Sequence, residues 1–163
     1  MLVRDLMTEH PATVNVNSTI KTVNALMHKR NLRNLIVVSD DNEVVGIITY
    51  SDLFRQILPN YSELFENEEY FLDPQSIEER MANVSEKRIS EVMTREPEVV
   101  SPDLPVVEAG AKMIAHRVKQ LPVVENGKLV GIISHYDITW GFLMRNCKFL
   151  GTDKKTYQER SNV

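Results

Sequence analysis

The chain contains the stretch Val44-Val45-Gly46-Ile47-Ile48-Thr49-Tyr50-Ser51-Asp52, and it repeats the pattern later as Leu129-Val130-Gly131-Ile132-Ile133-Ser134-His135-Tyr136-Asp137. Both copies begin with a continuous apolar run, which is typical of a buried strand. Both continue with a hydroxyl residue and, three positions later, an aspartate, a spacing typical of the first turn of a helix. Each copy therefore predicts a strand that ends where a helix begins, and the free N–H groups of that helix end can receive an anion.

The repetition covers most of the chain. Val3–Thr8 matches Ile89–Thr94, and Leu32–Val38 matches Val118–Val124, with the copies about 86 positions apart. Two copies are too few for a solenoid, so we expect two small units that pack face to face and close each other's core. The predicted division is a first repeat at 1–59, an acidic and aromatic insert at 60–86 that is partly helical, a second repeat at 87–147 and a polar tail at 148–163.

Each repeat is predicted to contain a short strand, a helix, two further strands and a second helix. We expect Leu2–Thr8 to pack against the helices of its own repeat. Asn17 or Ser18 is predicted to cap the first helix, and Asp103 is the expected cap of its counterpart in the second repeat.

Composition narrows the class of protein. With 163 residues, 42% of them hydrophobic and 26% charged, the chain is a globular protein of one ordinary domain or two small units. No apolar run approaches the length of a membrane span, and the first residues do not form a signal peptide, so we expect a cytoplasmic protein that does not bind membranes. The single cysteine, Cys147, excludes an internal disulfide framework.

The insert between the repeats is acidic but not typical of a disordered linker. From Asn60 to Arg80 it has seven acidic residues against one basic residue, and four aromatic residues lie among them. Because disordered acidic linkers are poor in aromatic residues, we expect an ordered segment with a helix that starts at Asp73-Pro74. It is either a solvated cover over the core or an acidic docking surface for a partner.

Familiar catalytic patterns are missing from the sequence. It contains neither a G-x-x-x-x-G-K-[ST] loop nor a G-x-G-x-x-G loop. The four histidines show no metal-ligand spacing with each other or with Cys147. We therefore expect no catalytic residues, no metal site and no catalytic cofactor, and the protein is not predicted to be an enzyme.

The repeated hydroxyl and aspartate have two interpretations. Thr49 and Ser134 can simply cap helices, with Asp52 and Asp137 complementing the helix dipoles. Alternatively, each aspartate accepts hydrogen bonds from the hydroxyls of a ribose, while the helix N–H groups meet phosphate. Polar donors stand at matched positions before a neighbouring strand, as Arg33-Asn34 and Lys119-Gln120. From the residues alone, both interpretations stay open.

Both repeats resemble cystathionine β-synthase (CBS) domains, and the tandem resembles a CBS pair, or Bateman module, in a small stand-alone protein. The resemblance lies in Met7-Thr8, Met93-Thr94, Leu121-Pro122-Val123-Val124 and the two G-h-h-[ST]-x-x-D stretches. It implies an α/β fold in which two β-α-β-β-α repeats pack with approximate two-fold symmetry. It also implies clefts that bind an adenine-containing ligand such as AMP, ADP, ATP, S-adenosylmethionine or a dinucleotide.

The resemblance implies a set of binding residues in each repeat. Thr49 and Asp52 would serve one cleft, and Ser134 and Asp137 the other. Arg33 and Lys119 match positions that often face phosphate. The residues implied to enclose the base are Thr13, Val14 and Ile36 in the first repeat and Val99, Val100 and Pro122 in the second. The sequence departs from the family at Ile36, where proline is common, and at Val99, which lacks the hydroxyl of Thr13.

We accordingly expect a regulatory sensor of an adenine nucleotide, without catalytic activity, that acts on an unidentified protein partner. The alternative is a module with empty clefts that serves dimerisation or protein interaction. A weaker alternative is regulated nucleic-acid binding through basic residues, which the net charge of −4 disfavours; the residues concerned are Arg30, Arg33, Arg117 and Lys119. We also expect a homodimer, because the helices after the two aspartates carry more apolar residues than a small unit buries; these are Leu53, Ile57, Ile138 and Phe142.

Overall fold

The computed structural model describes residues 1–58 and 73–146. The helices are α1 (Ile20–Lys29), α2 (Tyr50–Ile57), α3 (Pro74–Glu86), α4 (Val106–Ala115) and α5 (His135–Asn146), and short 3-10 turns lie at Val3–Asp5 and Ile89–Glu91. The strands are β1 (Thr8–Glu9), β2 (Thr13–Asn15), β3 (Asn34–Val38), β4 (Val44–Thr49), β5 (Thr94–Arg95), β6 (Gln120–Glu125) and β7 (Lys128–Ser134). Most of the acidic insert, the tail and Cys147 lie outside the described residues.

The predicted element order is observed in both repeats. The first repeat runs β2-α1-β3-β4-α2, and in the second an isolated bridge at Val100 precedes α4-β6-β7-α5. The helix that begins at Pro74 also agrees with the sequence prediction. No helix among the described residues is both long and apolar enough to cross a membrane.

Two sheets organise the chain, in the orders β2-β3-β4-β5 and β1-β7-β6. In the first sheet β2 runs parallel to β3, and β5 is antiparallel to β4. In the second sheet β7 is antiparallel to both β1 and β6. Apolar side chains of the strands and helices fill each core: Val23, Met27, Leu35, Ile48 and Ile89 are at most 1% exposed in one, and Val3, Ala109, Leu121, Val123 and Ile133 in the other.

The two compact units do not coincide with the two repeats. One unit comprises Met1–Ala12, Ser39–Val44 and the described chain from Glu96, and the other comprises Thr13–Val38 with the described part of Val45–Arg95. The prediction that Leu2–Thr8 packs against its own repeat is therefore wrong. The Val3 N–H donates to the Leu104 carbonyl at 2.9 Å, and Thr8 pairs with Ile132.

The segment before each repeat thus packs against the other repeat, and the two Met-Thr pairs show how. Met7 lies on Gly131 and Met93 lies on Gly46, so each methionine packs on the glycine of the other repeat's central motif. A Cβ at Gly46 would lie 2.5 Å from the Met93 sulfur, and one at Gly131 would lie 2.8 Å from the Met7 sulfur. Glycine is required at both positions because the neighbouring segment approaches the strand backbone this closely.

The helix caps differ from the sequence predictions. The N-cap of α1 is Thr19, whose hydroxyl accepts from the Thr22 N–H at 3.4 Å, and not Asn17 or Ser18. The N-cap of α4 is Pro105, and Asp103 instead forms an ion pair with Arg4. Several polar residues precede α1, and local spacing alone does not choose among them. At α4 the Asp103 carboxylate pairs with Arg4, and Pro105 makes no side-chain cap hydrogen bond.

Candidate functional site

The first candidate site is built on the junction of β4 and α2. Thr49 is the N-cap of α2, and its hydroxyl accepts from the Asp52 N–H at 3.3 Å. The Oδ2 atom of Asp52 accepts from the Thr49 N–H at 2.8 Å and from the Thr49 hydroxyl at 2.7 Å. This reciprocal capping box satisfies backbone donors that the first helical turn leaves open. The capping interpretation of the motif is thus observed.

The second oxygen of Asp52 has a partner of its own. The Arg55 guanidinium donates from Nη2 to Asp52 Oδ1 at 2.6 Å. The Asp52 side chain is 7% exposed, whereas that of Arg55 is 70% exposed. A cation one helical turn along α2 therefore neutralises a carboxylate that is otherwise nearly buried.

The second candidate site repeats the box at the junction of β7 and α5. Asp137 Oδ2 accepts from the Ser134 N–H and from the Ser134 hydroxyl, both at 2.6 Å. The Ser134 hydroxyl in turn accepts from the Asp137 N–H at 3.2 Å. Asp137 is 6% exposed, and within the described residues no cation forms an ion pair with it. The position that matches Arg55 is Trp140.

This difference changes the electrostatics of Asp137. Burial raises the pKa of the Asp137 carboxyl above its ordinary value, and the hydrogen bonds from Ser134 together with the charge of His135 only partly oppose the rise. Desolvation disfavours the ionised form of a carboxylate unless a positive charge compensates. Among the described residues, therefore, no side chain donates to Asp137 Oδ1 and no cation pairs with the Asp137 carboxylate.

The predicted cationic residues lie beside both boxes. The Tyr50 N–H donates to the Arg33 carbonyl at 3.1 Å, and the His135 N–H donates to the Lys119 carbonyl at 2.9 Å. These equivalent bonds fix the loop before β3 next to α2 and the loop before β6 next to α5. The Arg33 and Lys119 side chains are exposed, and neither forms an ion pair within the described residues. Each site thus combines a helix N-terminus, a hydroxyl, a carboxylate and an available cation.

A pocket of about 400 Å³ opens beside the first box. Pockets of this size accommodate small ligands. The residues that line it come from α1, the loop before β3 and the junction of β4 with α2; they are Met27, His28, Asn31, Leu32, Arg33, Thr49, Tyr50 and Ser51. Thr49 and Arg33, both singled out in the sequence, therefore share one cavity.

The residues implied to enclose the base are adjacent on paired strands in the first repeat and around an isolated bridge to β6 in the second. Thr13 pairs with Ile36 in the register of β2 and β3, and the Val100 N–H donates to the Pro122 carbonyl at 3.0 Å. Of these six side chains, Thr13 is half-buried and four are buried, including Pro122; Val14 is 7%, Ile36 1% and Val100 4% exposed. Val99, at 39%, is exposed. Their adjacency in each repeat is what the resemblance implies, and their contact with a ligand stays a prediction.

Sequence reasoning missed Arg55, the residue that distinguishes the two sites. The signal was present, since an acidic residue followed three positions later by arginine on a helix predicts a side-chain pair. Within residues 1–58 and 73–146 no group of three or more histidine, cysteine or acidic side chains is placed to hold a metal ion.

The chain is similar to known proteins over most of its length. The family model described as the CBS domain matches residues 3–59 and 89–141, once in each repeat. An uncharacterized protein of Methanocaldococcus jannaschii is 29% identical over 150 residues, which cover 85% of this chain and 89% of that protein. A homoserine O-acetyltransferase of Methanococcoides burtonii is 32% identical over 137 residues, but these cover 83% of this chain and only 23% of the enzyme.

A solved structure shares the fold over nearly the whole chain. The CBS domain pair of protein MJ0100, crystallised with 5′-methylthioadenosine and S-adenosyl-L-methionine, is 26% identical. It superposes with a TM-score of 0.64 and covers 89% of this chain and 98% of its own. Both repeats match the family, and the fold is that of a solved CBS pair. The chain therefore belongs to the CBS-domain family and contains two CBS repeats.

Proposed function

We propose that this chain is a regulatory module that binds an adenine nucleotide or a related adenosine ligand, with the ribose on Asp137 and Asp52. The observation that carries this proposal is the doubled site, in which a buried aspartate, a capping hydroxyl and an exposed cation recur with the same backbone bonds. A cap alone explains the hydroxyl and the aspartate, but it does not explain why Arg33 and Lys119 stand at the same place beside each helix end.

The related CBS pair supports the class of ligand. Both molecules in that crystal, 5′-methylthioadenosine and S-adenosyl-L-methionine, contain an adenosine group and lack phosphate. The shared chemistry is an adenine ring and a ribose, and AMP, ADP or ATP would add phosphate near Arg33 or Lys119. The ligand would regulate an unidentified partner protein by favouring one arrangement of the chain over another, to the extent that its affinities for the two differ.

Calorimetry with adenosine, AMP and S-adenosylmethionine tests this proposal. Asp137→Ala and Asp52→Ala should each weaken binding at one site only, because a hydrogen bond to a charged group contributes roughly 1.5–3 kcal/mol, or about ten- to a hundredfold in affinity. Circular dichroism of each variant checks that the fold survives loss of the capping carboxylate. If wild-type protein binds none of the three ligands, the sensor proposal fails.

A specific observation also favours assembly into a homodimer. Large apolar side chains are exposed on α2 and α5: Phe54 is 59%, Ile57 39%, Tyr136 54%, Phe142 40% and Leu143 55% exposed. Leu53, in contrast, is 3% exposed and Ile138 packs against its own core, so these two do not contribute to such a surface as we expected from the sequence.

Light scattering tests assembly directly. Exposed apolar patches mark sites of protein association, so we expect a dimer at micromolar concentration and a shift towards monomer in Phe54→Glu. Ala25→Glu, at an exposed and uncharged position on α1, adds the same single negative charge and is the control. A monomer of 18.7 kDa for the wild-type chain would contradict the assembly proposal.

A further inference from the structure

We propose that Arg55 is a built-in competitor at the first site, so that an adenosine ligand binds more weakly at Asp52 than at Asp137. This inference rests on the proposed function, in which the ribose hydroxyls bind these two aspartates. It assigns to Arg55 a role in ranking the two sites, which neither the motif nor the family match provides.

The hydrogen bonds of Asp52 leave little room for a ribose. Oδ2 already accepts two bonds from Thr49, and Oδ1 accepts the guanidinium of Arg55 at 2.6 Å. Only 7% of the Asp52 side chain is exposed. A ribose hydroxyl that donates to Oδ1 must therefore displace the guanidinium or share the oxygen with it.

Asp137 offers the same carboxylate without this obstacle. Ser134 donates twice to Oδ2, as Thr49 does to Asp52. Within the described residues, however, no side chain donates to Oδ1. Position 140 has the indole of Trp140, which stacks on Tyr136 with ring centroids 6.4 Å apart. A ribose hydroxyl at the second site gains a strong acceptor and breaks no ion pair.

The expected size of the competition is modest. Arg55 is 70% exposed, so water can replace its contact with Asp52 at small cost. An ion pair with one exposed partner is weakened by water, and an energy within the range of exposed pairs corresponds to about a two- to fivefold change in affinity. Arg55 therefore lowers the affinity for adenosine at the first site but does not abolish binding there.

Calorimetry with adenosine measures each site separately in the full chain. Asp137→Ala weakens the second site, so that calorimetry at low adenosine concentration reports mainly the first, and Asp52→Ala does the reverse. Adenosine is the right probe because it lacks phosphate, so that it has no direct charge attraction to Arg55. In the Asp137→Ala background, Arg55→Gln should tighten adenosine binding about two- to fivefold.

Arg30→Gln is the matched control for the lost positive charge. Arg30 is exposed at the end of α1 and forms no ion pair within the described residues. Its replacement should leave adenosine affinity at the first site unchanged. An equal gain in Arg30→Gln and Arg55→Gln would mean that net charge, and not the contact with Asp52, controls the affinity, and would overturn the inference.

The reciprocal change is Trp140→Arg in the Asp52→Ala background. It places a guanidinium three residues after Asp137 and should weaken adenosine binding at the second site about two- to fivefold. Trp140→Gln removes the indole without adding a cation and accounts for the lost stacking on Tyr136. If either Trp140 variant fails to fold, the Arg55 comparison decides alone.

Two results contradict the inference and differ in what else they affect. Unchanged or weaker adenosine binding in Arg55→Gln would show that the arginine does not compete, while the proposed function would stand. Absence of adenosine binding at both sites of the wild-type chain, together with absence of binding by AMP and S-adenosylmethionine, would remove the proposed function and this inference together.

Discussion

Asp52 and Asp137 lie in the same capping box but in different electrostatic surroundings. Both accept two bonds from the residue three positions earlier, at distances between 2.6 and 2.8 Å. Asp52 also pairs with Arg55, whereas burial raises the pKa of Asp137, which has no such cation in the described chain. The box is a structural device common to both repeats. The residue one helical turn further on, Arg55 or Trp140, determines whether a cation stabilises the buried negative charge.

The largest expected effect comes from adding a second carboxylate to each box. Ser134→Asp replaces the hydroxyl that donates to Asp137 with a negative charge, and two like charges 4 Å apart near a surface repel by on the order of 4 kcal/mol. In Thr49→Asp the nearby Arg55 compensates part of this repulsion. Urea denaturation at pH 7 should therefore show a greater loss of unfolding free energy in Ser134→Asp than in Thr49→Asp.

Thr49→Ser is the control for this pair, because it keeps a hydroxyl that can donate and accept, and it should change stability little. In the double variant Thr49→Asp with Arg55→Gln, the loss of unfolding free energy should rise to that of Ser134→Asp. Equal losses in the two aspartate variants, with Arg55 intact, would show that the ion pair does not distinguish the boxes.

A second, smaller effect tests a feature common to both repeats, the close packing of a methionine on the glycine of the central motif. Gly46→Ala and Gly131→Ala should each cost about 1–3 kcal/mol, because the added Cβ meets a methionine sulfur and a carbonyl oxygen at 3.0 Å or less. Thermal denaturation of both variants should show losses of similar size. A tolerated alanine at either position would mean that the exchanged Met-Thr segment does not pack as described.

Gly110→Ala is the control for these variants, because it should increase stability where they decrease it. Gly110 lies inside α4, and a Cβ there would meet only Ile138 Cδ1 at an ordinary 3.7 Å. Because alanine is a better helix former than glycine, this variant should gain roughly 0.5–1 kcal/mol.

The smallest expected effect is a trend with pH at Asp137. Its pKa is raised in the folded chain from 3.8, so the folded state binds this proton more readily than the unfolded state. The resulting stability is present below pH 3.8 and is lost as pH rises through the raised folded value. Asp137→Asn cannot ionise, and its stability relative to wild type should therefore improve between pH 4 and pH 7. Urea denaturation at several pH values measures the trend, and a flat or opposite trend would contradict the effect of burial on this carboxyl.

Much of the fold could be predicted from the sequence, because the strand and helix patterns are local and each occurs in both repeats. Strand β4 (Val44–Thr49) ends where α2 begins at Tyr50, which is the strand-to-helix junction that the motif predicts. The exchange of Leu2–Thr8 between repeats could not be predicted, since the two copies of Met-Thr and of the glycine motif are equivalent partners in sequence. Only tertiary packing determines which glycine each methionine contacts.

The residues of the two candidate sites could be predicted from the sequence, but the electrostatic difference between the sites could not. Thr49 with Asp52, and Ser134 with Asp137, lie together because their spacing fits one helical turn. The contrast between Arg55 and Trp140 was visible in the sequence, but its consequence depends on the burial of the two aspartates, which spacing does not reveal.

The most direct test of the central claim is a crystal structure of the chain grown with adenosine. We expect density for adenosine at the second site, with ribose hydroxyls within hydrogen-bond distance of Asp137 Oδ1. Occupancy at the first site should be lower, and Arg55 should be turned away from Asp52 wherever adenosine is present. Adenosine bound with its ribose away from both aspartates, while their capping boxes are unchanged, would show that the doubled motif is a helix cap alone.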